Sequence, residues 1–393
     1  MIVLYATLRA VKSSIFAGQM SINLSFYLIL FFVLATVIQL GYWIYFLIAF
    51  LKQRTRPYKE PESVKKGMSV IIAARNEVDH LKKLIPALLQ QDYEHFEVII
   101  CNDRSTDETD QLLRGYSSAD HRLRYITVEQ LPGHMNGKKY ALTLGIRAAK
   151  NDYLILTDAD CLPCSKLWIR SMASGFRQNK AIVLGYSDYK ARPGFLNYFI
   201  RFETLITGLQ FLSKGLLGRP FMGVGRNLAY KKSLFIENKG FIGFNDLTGG
   251  DDDLFVQRHA AHKNTEVVIG KESVTLSTPM NSIRSYIQQK IRHLAVGRFY
   301  APFARIYTGI FAMTWEIIWG LGLVLLLTPT EPLLVIALFL IRWLIMAGTI
   351  FVATQQIGIA FNIGGIILLD LLFPIYYIFV GTVALVSKKV KWK

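Results

Sequence analysis

Asp158 and Asp160 stand one residue apart, where an apolar run from Tyr153 to Leu156 gives out. A strand turns successive side chains to opposite faces, so both carboxylates leave the sheet on one side of the chain. They repel each other unless a cation lies against them. Oxygen donors suit Mg2+ or Mn2+, ions held through one or two carboxylates plus substrate phosphates. A solvated acidic turn is the plainer reading of an isolated Asp-x-Asp, so the pair needs support from elsewhere.

The elements that would position such a pair begin at Met68. Ser69–Ala73 is an apolar strand ending at Ala74, Arg75, Asn76 and Glu77, and Leu81, Leu84, Ile85, Leu88 and Leu89 keep helical spacing behind it. Phe96–Cys101 is a second strand, ending at Asn102 and Asp103, with Ser105 or Thr106 a candidate N-cap. Leu123–Val128 is a third, and Gly137-Lys138-Lys139 opens a helix over 140–150 that leads into the Tyr153 strand. Strand–helix alternation predicts a mostly parallel α/β sheet with helices on both faces. Ligands bind beyond the carboxyl ends of such strands, and Arg75, Asn76, Asp103, Lys138, Asp158 and Asp160 all fall at that rim. The stretch from Gly133 to Lys139 is one residue short of a P-loop and lacks its Ser/Thr, yet a Lys at a helix N-terminus can still meet a phosphate.

The chain has 393 residues, 52% hydrophobic, with a net charge of +17 and a mean hydropathy of +0.31. Residues 24–51 carry no charge and are long enough to cross a bilayer. Lys52, Arg54, Arg56, Lys59, Lys65 and Lys66 follow, so the positive-inside rule puts the next domain in the cytoplasm of a bacterial-type inner or plasma membrane. Residues 1–23 are too short and interrupted to span, and Met20 is an alternative start. Three further apolar segments, 306–327, 333–352 and about 363–386, lie within 305–387, before a basic tail at 388–393. If all three span, that tail lies outside, against the rule, unless one segment is interfacial or re-entrant. Glu316, Arg342 and Asp370 fall inside them; intramembrane charge suggests function, although Arg342 could snorkel. The basic surplus points to membrane and phosphate, and no zinc-finger or RNA-recognition signature points to nucleic acid. Three cysteines make no disulfide framework, and Cys161-x-x-Cys164 alone cannot complete a four-ligand zinc site.

With these residues assembled, the region from Met68 to about Tyr300 resembles the family 2 glycosyltransferases of the GT-A nucleotide-diphospho-sugar fold. "SVIIAARNE" is similar to that family's opening strand, and "FEVIICNDRSTDET" to its base-binding strand and turn, with Asn102 where many members have Asp. The resemblance implies that Ala74, Arg75 and Asn76 line the nucleoside, that Asp103 holds the base, and that Lys138 of "NGKKYAL" contacts nucleoside or phosphate. It makes "TDAD" the metal motif, with Asp160 the more direct ligand and Asp158 nearer the ribose and diphosphate. "GVGRNLAYKKSLF" resembles the glycine-rich acceptor loop, placing Gly225 and Asn227 on the acceptor side. "TGGDDDLF" resembles the family's Glu-Asp-x-Asp-Leu motif with Gly250 for the Glu. Register then makes Asp251 the catalytic base, Asp252 the alternative; an acidic first turn favouring a helix dipole is the structural alternative. "QQKIRHL" resembles the Q-x-x-R-W motif of membrane synthases such as cellulose and hyaluronan synthase. Gln289 and Arg292 match; His293 stands where those synthases have an acceptor-side Trp, which sets long-chain synthesis apart.

The expected organisation is a GT-A catalytic domain over 67–280, reached by a basic linker at 52–66 and followed by an amphipathic interfacial helix with Q-x-x-R over 281–304. Phe195–Leu217 is expected to be a second such helix. The implied reaction is inverting transfer from a nucleotide-diphosphate sugar, a UDP-sugar, to a lipid or glycan acceptor. Two other readings are a non-catalytic membrane scaffold and a nucleotidyltransferase that makes the activated sugar.

Overall fold

A computed structural model describes residues 2–54, 66–177, 179–329 and 331–386. Most of the expected linker and the whole basic tail lie outside the described residues. In chain order the elements are α1 (Ile2–Arg54), β1 (Met68–Ala74), α2 (Val78–Leu89), β2 (Phe96–Asp103), α3 (Thr109–Ala119), β3 (Leu123–Val128), α4 (Gly137–Ala148) and β4 (Tyr153–Leu156). Then come β5 (Cys161–Pro163), α5 (Trp168–Ala173), β6 (Ile182–Leu184), β7 (Ser187–Tyr189), α6 (Phe195–Leu216), β8 (Leu228–Lys231), α7 (Lys232–Glu237) and α8 (Asp253–His259). The chain closes with β9 (Thr265–Val267), β10 (Thr275–Ser277), α9 (Ile283–Val296), α10 (Pro302–Leu326), α11 (Pro332–Ile357) and α12 (Ile366–Val386).

Seven strands form one sheet in the order β3-β2-β1-β4-β8-β6-β9. β1 pairs in parallel with β2 and β4, and β2 with β3, as the strand–helix alternation requires. Every residue of β1 and β2 is buried, because both faces are covered by helices and an all-apolar strand suits a two-sided burial. β8 breaks the pattern by running antiparallel to β4, with Leu228 opposite Leu156. Its beginning, rather than its end, therefore lies at the carboxyl rim, which carries Gly225 and Arg226 to the end of β4. A small sheet, β5-β10-β7, leans on the same rim.

Four helices are long and apolar enough to cross a membrane: 24–53 of α1, α10, α11, and residues 366–384 of α12. They turn apolar side chains such as Phe26, Leu30, Ile341, Leu344 and Ile375 outward, an apolar exterior that suits lipid. Inside the bundle Arg342 does not snorkel. It and Asp370 are fully buried and form a bidentate pair, with both N–H···O distances 2.6 Å.

The structure departs from expectation at Phe195–Leu217. This helix, α6, is buried around most of its circumference, packed against β7 and β9 on one side and α1 and α12 on the other. It is a spacer between sheet and bundle, not a surface amphipathic helix. α9 has one face buried through Tyr286, Lys290, Ala295 and Val296, and α12 lies along it.

Candidate active site

The exits of β1 and β2 are tied together first. Asn76, at φ +55, donates its backbone N–H to Ser105 Oγ (2.9 Å) and accepts from the Thr106 N–H (2.7 Å). Asp103 closes β2, fully buried. Its Oδ1 accepts from Arg104 Nε at 2.8 Å, while its buried Oδ2 has no partner. A buried acceptor left unpaired is costly, and marks where a ligand N–H would be welcome. Gly137 lies directly over it: a Cβ there would stand 2.4 Å from Asp103 Oδ2, so only glycine lets α4 start so close to this carboxylate.

Asn136 caps α4, its Oδ1 accepting from the Lys138 N–H at 3.1 Å. Lys138 is thereby aimed into the cleft, with Nζ 2.9 Å from Asp158 Oδ1 and 3.0 Å from Asp251 Oδ2. Burial opposes its charge, but Asp158, Asp251 and Asp252 outweigh that and hold the ammonium's pKa well above its ordinary value. Lys139, one position on, points elsewhere because neighbouring helical residues diverge by roughly 100°. Its buried ammonium donates to the carbonyls of Phe244 (2.6 Å), Leu247 (2.7 Å) and Gly249 (2.5 Å). Burial lowers its pKa to about 8, against the pull of Asp251 and Asp253. This contact and the Asn136 N–H to Asn245 carbonyl bond (2.7 Å) fix the loop that delivers the three aspartates.

That loop explains why glycine replaces the expected Glu at 250. Gly250 has φ +83, and a Cβ would meet Leu254 Cδ1 at 2.6 Å. The three aspartates that follow have separate employment. Asp252 caps α8 by accepting from the Asp253 N–H at 2.8 Å and also takes the Gly225 N–H at 2.6 Å. Asp253 accepts from Tyr300 Oη at 2.6 Å and from the Leu254 N–H. Asp251 is the one joined to Lys138, and Lys138 and Lys139 overcome its burial to hold its pKa below the usual carboxylate range. Asp252, by contrast, is raised by burial and by the charge of Asp251. A helix-capping role accounts for Asp252 and leaves Asp251 unexplained by architecture.

Asp158, Asp160 and the Cys161 thiol offer ligand atoms within 4.8 Å of one another. Burial and then the charge of Asp158 push the Asp160 pKa up, the repulsion expected of paired carboxylates with no cation between them. Two hard oxygens on one side of a turn fit a small divalent cation. Cys161 Sγ lies 3.3 Å from Asp160 Oδ1 and 3.0 Å from Ser277 Oγ, and exposed Cys164 takes no part in that group. Arg226, whose type and position drew no expectation, stacks 4.7 Å from the Tyr189 ring and donates to Ser277 Oγ at 3.0 Å, where its charge opposes that of Asp160.

The Q-x-x-R helix completes the wall. Gln289 accepts from Tyr189 Oη at 3.4 Å. Arg292 lies within the electrostatic reach of Asp158 and Tyr189, though burial lowers its pKa overall. His293 is exposed on the same helix. Of the residues expected on the acceptor side, Gly225 lies against Asp251: a Cβ would be 3.5 Å from Asp251 Oδ2. Asn227 lies deeper. It is fully buried, accepts from Trp168 Nε1 (3.1 Å) and donates to the carbonyls of Tyr186 and Ser273 (both 2.7 Å). It props the loop from beneath because its amide is spent on the core. Ala74, likewise buried, contributes backbone at the end of β1, and Arg75 is half-buried beside it.

Residues 69–238 match the family described as "Glycosyl transferase family 2". Among similar proteins, an Escherichia coli UDP-Glc:alpha-D-GlcNAc-diphosphoundecaprenol beta-1,3-glucosyltransferase, WfaP, is 27% identical over 36% of this chain and 50% of its own. The poly-beta-1,6-N-acetyl-D-glucosamine synthase of Staphylococcus epidermidis is 28% identical over 30% of this chain and 29% of its own. The chain thus spans half or less of these relatives' length. The mannosyltransferase PcManGT of Pyrobaculum calidifontis, solved with GDP-Man and Mn2+, superposes on 92% of this chain and 100% of its own with a TM-score of 0.62 at 15% identity. That last likeness is one of fold. Sheet order and family match agree: residues 69–238 form a domain similar to the family 2 glycosyltransferases, on the GT-A fold.

Proposed function

We propose that this enzyme transfers a sugar from a UDP-sugar to a hydroxyl of a lipid or glycan acceptor beside a membrane, inverting the anomeric carbon. The reading rests on the single bridge that Lys138 makes between Asp158, at the diphosphate end, and Asp251, at the acceptor end. The unpaired Oδ2 of Asp103 accepts from an N–H of the base, and the Asn76 and Arg75 turn borders the nucleoside. Asp160, with Asp158, would hold Mg2+ or Mn2+, which supplies charge neutralisation for the leaving diphosphate. Lys138 and Arg292 add fixed positive charge aimed at the same developing charge. Asp251, kept ionised by its two lysines, takes the proton of the incoming hydroxyl, with Gly225 leaving room for the acceptor. Gln289 and exposed His293 border that side.

The domain reading that goes with this is a catalytic unit over 67–280, the Q-x-x-R helix over 281–304 lying at the membrane interface, and membrane segments on either side. The basic flank from Lys52 to Lys66 supports a cytoplasmic active site. The UDP-Glc donor in the name of WfaP supports a nucleotide-sugar donor.

Membranes carrying the protein, incubated with a panel of radiolabelled nucleotide sugars, test the proposal. Label passing to lipid or glycan with release of nucleoside diphosphate is the expected result. Free pyrophosphate as product would identify a nucleotidyltransferase, and no binding of UDP with Mn2+ would identify a scaffold.

A further inference from the structure

Lys214, near the end of α6, is only 7% exposed. Its ammonium sits in a cage of three aromatic rings, 5.1 Å from the centroid of Tyr45, 4.9 Å from Phe303 and 4.2 Å from Tyr307. Among the described residues no carboxylate pairs with it, and the nearest charge that acts on it is another cation, Arg219. The hydroxyls of Tyr45 and Tyr307 are buried beside it without partners. A buried ammonium is paired or pays heavily in desolvation. Ring faces recover only part of that, so the cage is one anion short.

Its depth says where the anion comes from. Tyr45 lies on α1 two turns before that helix ends, and Phe303 and Tyr307 lie in the first two turns of α10. Both sit at the end of the bundle nearest the sheet. Outward-facing Ile44, Ile48, Phe303 and Ile306 surround the cage with apolar surface, each more than 40% exposed. Aromatic residues at this level and basic pockets between membrane helices meet headgroups.

We propose that Lys214, Arg219 and the hydroxyls of Tyr45 and Tyr307 form a binding site for the phosphate of an anionic phospholipid, which seals the joint between α1, α10 and α6. The site is separate from the sugar-transfer cleft, and it rests on the reading that these helices cross a bilayer. α6 packs on β7 and β9, so an occupied site braces the catalytic sheet against the bundle.

The test uses the full-length protein in detergent, then in phosphatidylcholine vesicles with and without phosphatidylglycerol. Wild type retains phosphatidylglycerol over phosphatidylcholine through detergent washing and melts at a higher temperature when it is present. Lys214→Met retains about fivefold less and loses the melting shift, whereas Lys214→Arg keeps both. Equal retention of the two lipids by wild type overturns the proposal, as does an equal melting shift from inorganic phosphate without lipid. An alkaline wash of the source membranes keeps the two readings apart. Protein released by the wash removes the membrane reading itself, while protein that stays but shows no lipid preference removes only this site.

Discussion

Two clusters of buried charge, one in the bundle and one at the sheet rim, are built on opposite terms. In the bundle, Asp370 takes both guanidinium N–H groups of Arg342 and the indole N–H groups of Trp319 (3.0 Å) and Trp343 (2.9 Å). Its own carbonyl takes Trp315 Nε1 at 3.0 Å, and Arg342 Nε reaches Gln39. Four helices meet there with every nitrogen of the Arg342 guanidinium and both oxygens of the Asp370 carboxylate hydrogen-bonded, and only the neutral Gln39 Nε2 of this group without a partner. At the rim, Asp103 keeps an unpaired buried oxygen, Asp158 and Asp160 repel, and one Lys138 serves two carboxylates. Satisfied charge is architecture; charge with capacity left over is waiting for a ligand. An intramembrane ion pair therefore need not be functional by default.

The contrast can be broken first in the bundle. Arg342→Leu strands a buried carboxylate and is expected to cost about 3–5 kcal/mol of stability, while the double change to Leu at 342 and 370 recovers most of it. Thermal melts in detergent measure this, and a double variant no better than the single would deny that the pair is purely architectural. At the rim the order inverts: Asp160→Asn should leave the melt nearly unchanged and lower transfer roughly 10²–10³-fold, with chelation of divalent ions mimicking it. Lys139→Met leaves three carbonyls of the aspartate loop without their donor, each worth about 1–3 kcal/mol. Limited proteolysis should then cut first near 244–249. The smallest effect concerns pH. As the proposed base Asp251 must be unprotonated, and its pKa lies below the usual range, so it is expected to put no acid limb on the rate between about pH 5 and 8. Lys138→Met removes the cation that lowers it, and whatever transfer remains should show its acid limb at a higher pH than wild type.

The rim was legible because each parallel strand ends at its polar cluster in sequence. β3 and β4 fall where their apolar runs do, and Asp103, Asp158 and Asp160 follow from strand ends, Lys138 from the start of a helix. What escaped depends on pairing between distant segments. β8 inserts antiparallel between β4 and β6, and three-residue strands such as β5, β7 and β10 carry no periodicity. That insertion is what brings Arg226 to Asp160 and turns Asn227 inward to Trp168. Lys138 and Lys139 read as one basic pair, yet the helix sends one to the cleft and the other to hold the loop. Arg342 and Asp370, 28 positions apart, could not be seen as partners without the bundle.

The most direct test compares sugar transfer by Asp251→Asn and Asp252→Asn in the same membranes, with donor binding measured alongside. A loss of about 10²–10⁴-fold for Asp251→Asn with donor binding retained, and a change in Asp252→Asn confined to the stability of its cap, is the predicted result. Near-wild-type transfer by Asp251→Asn would contradict the account.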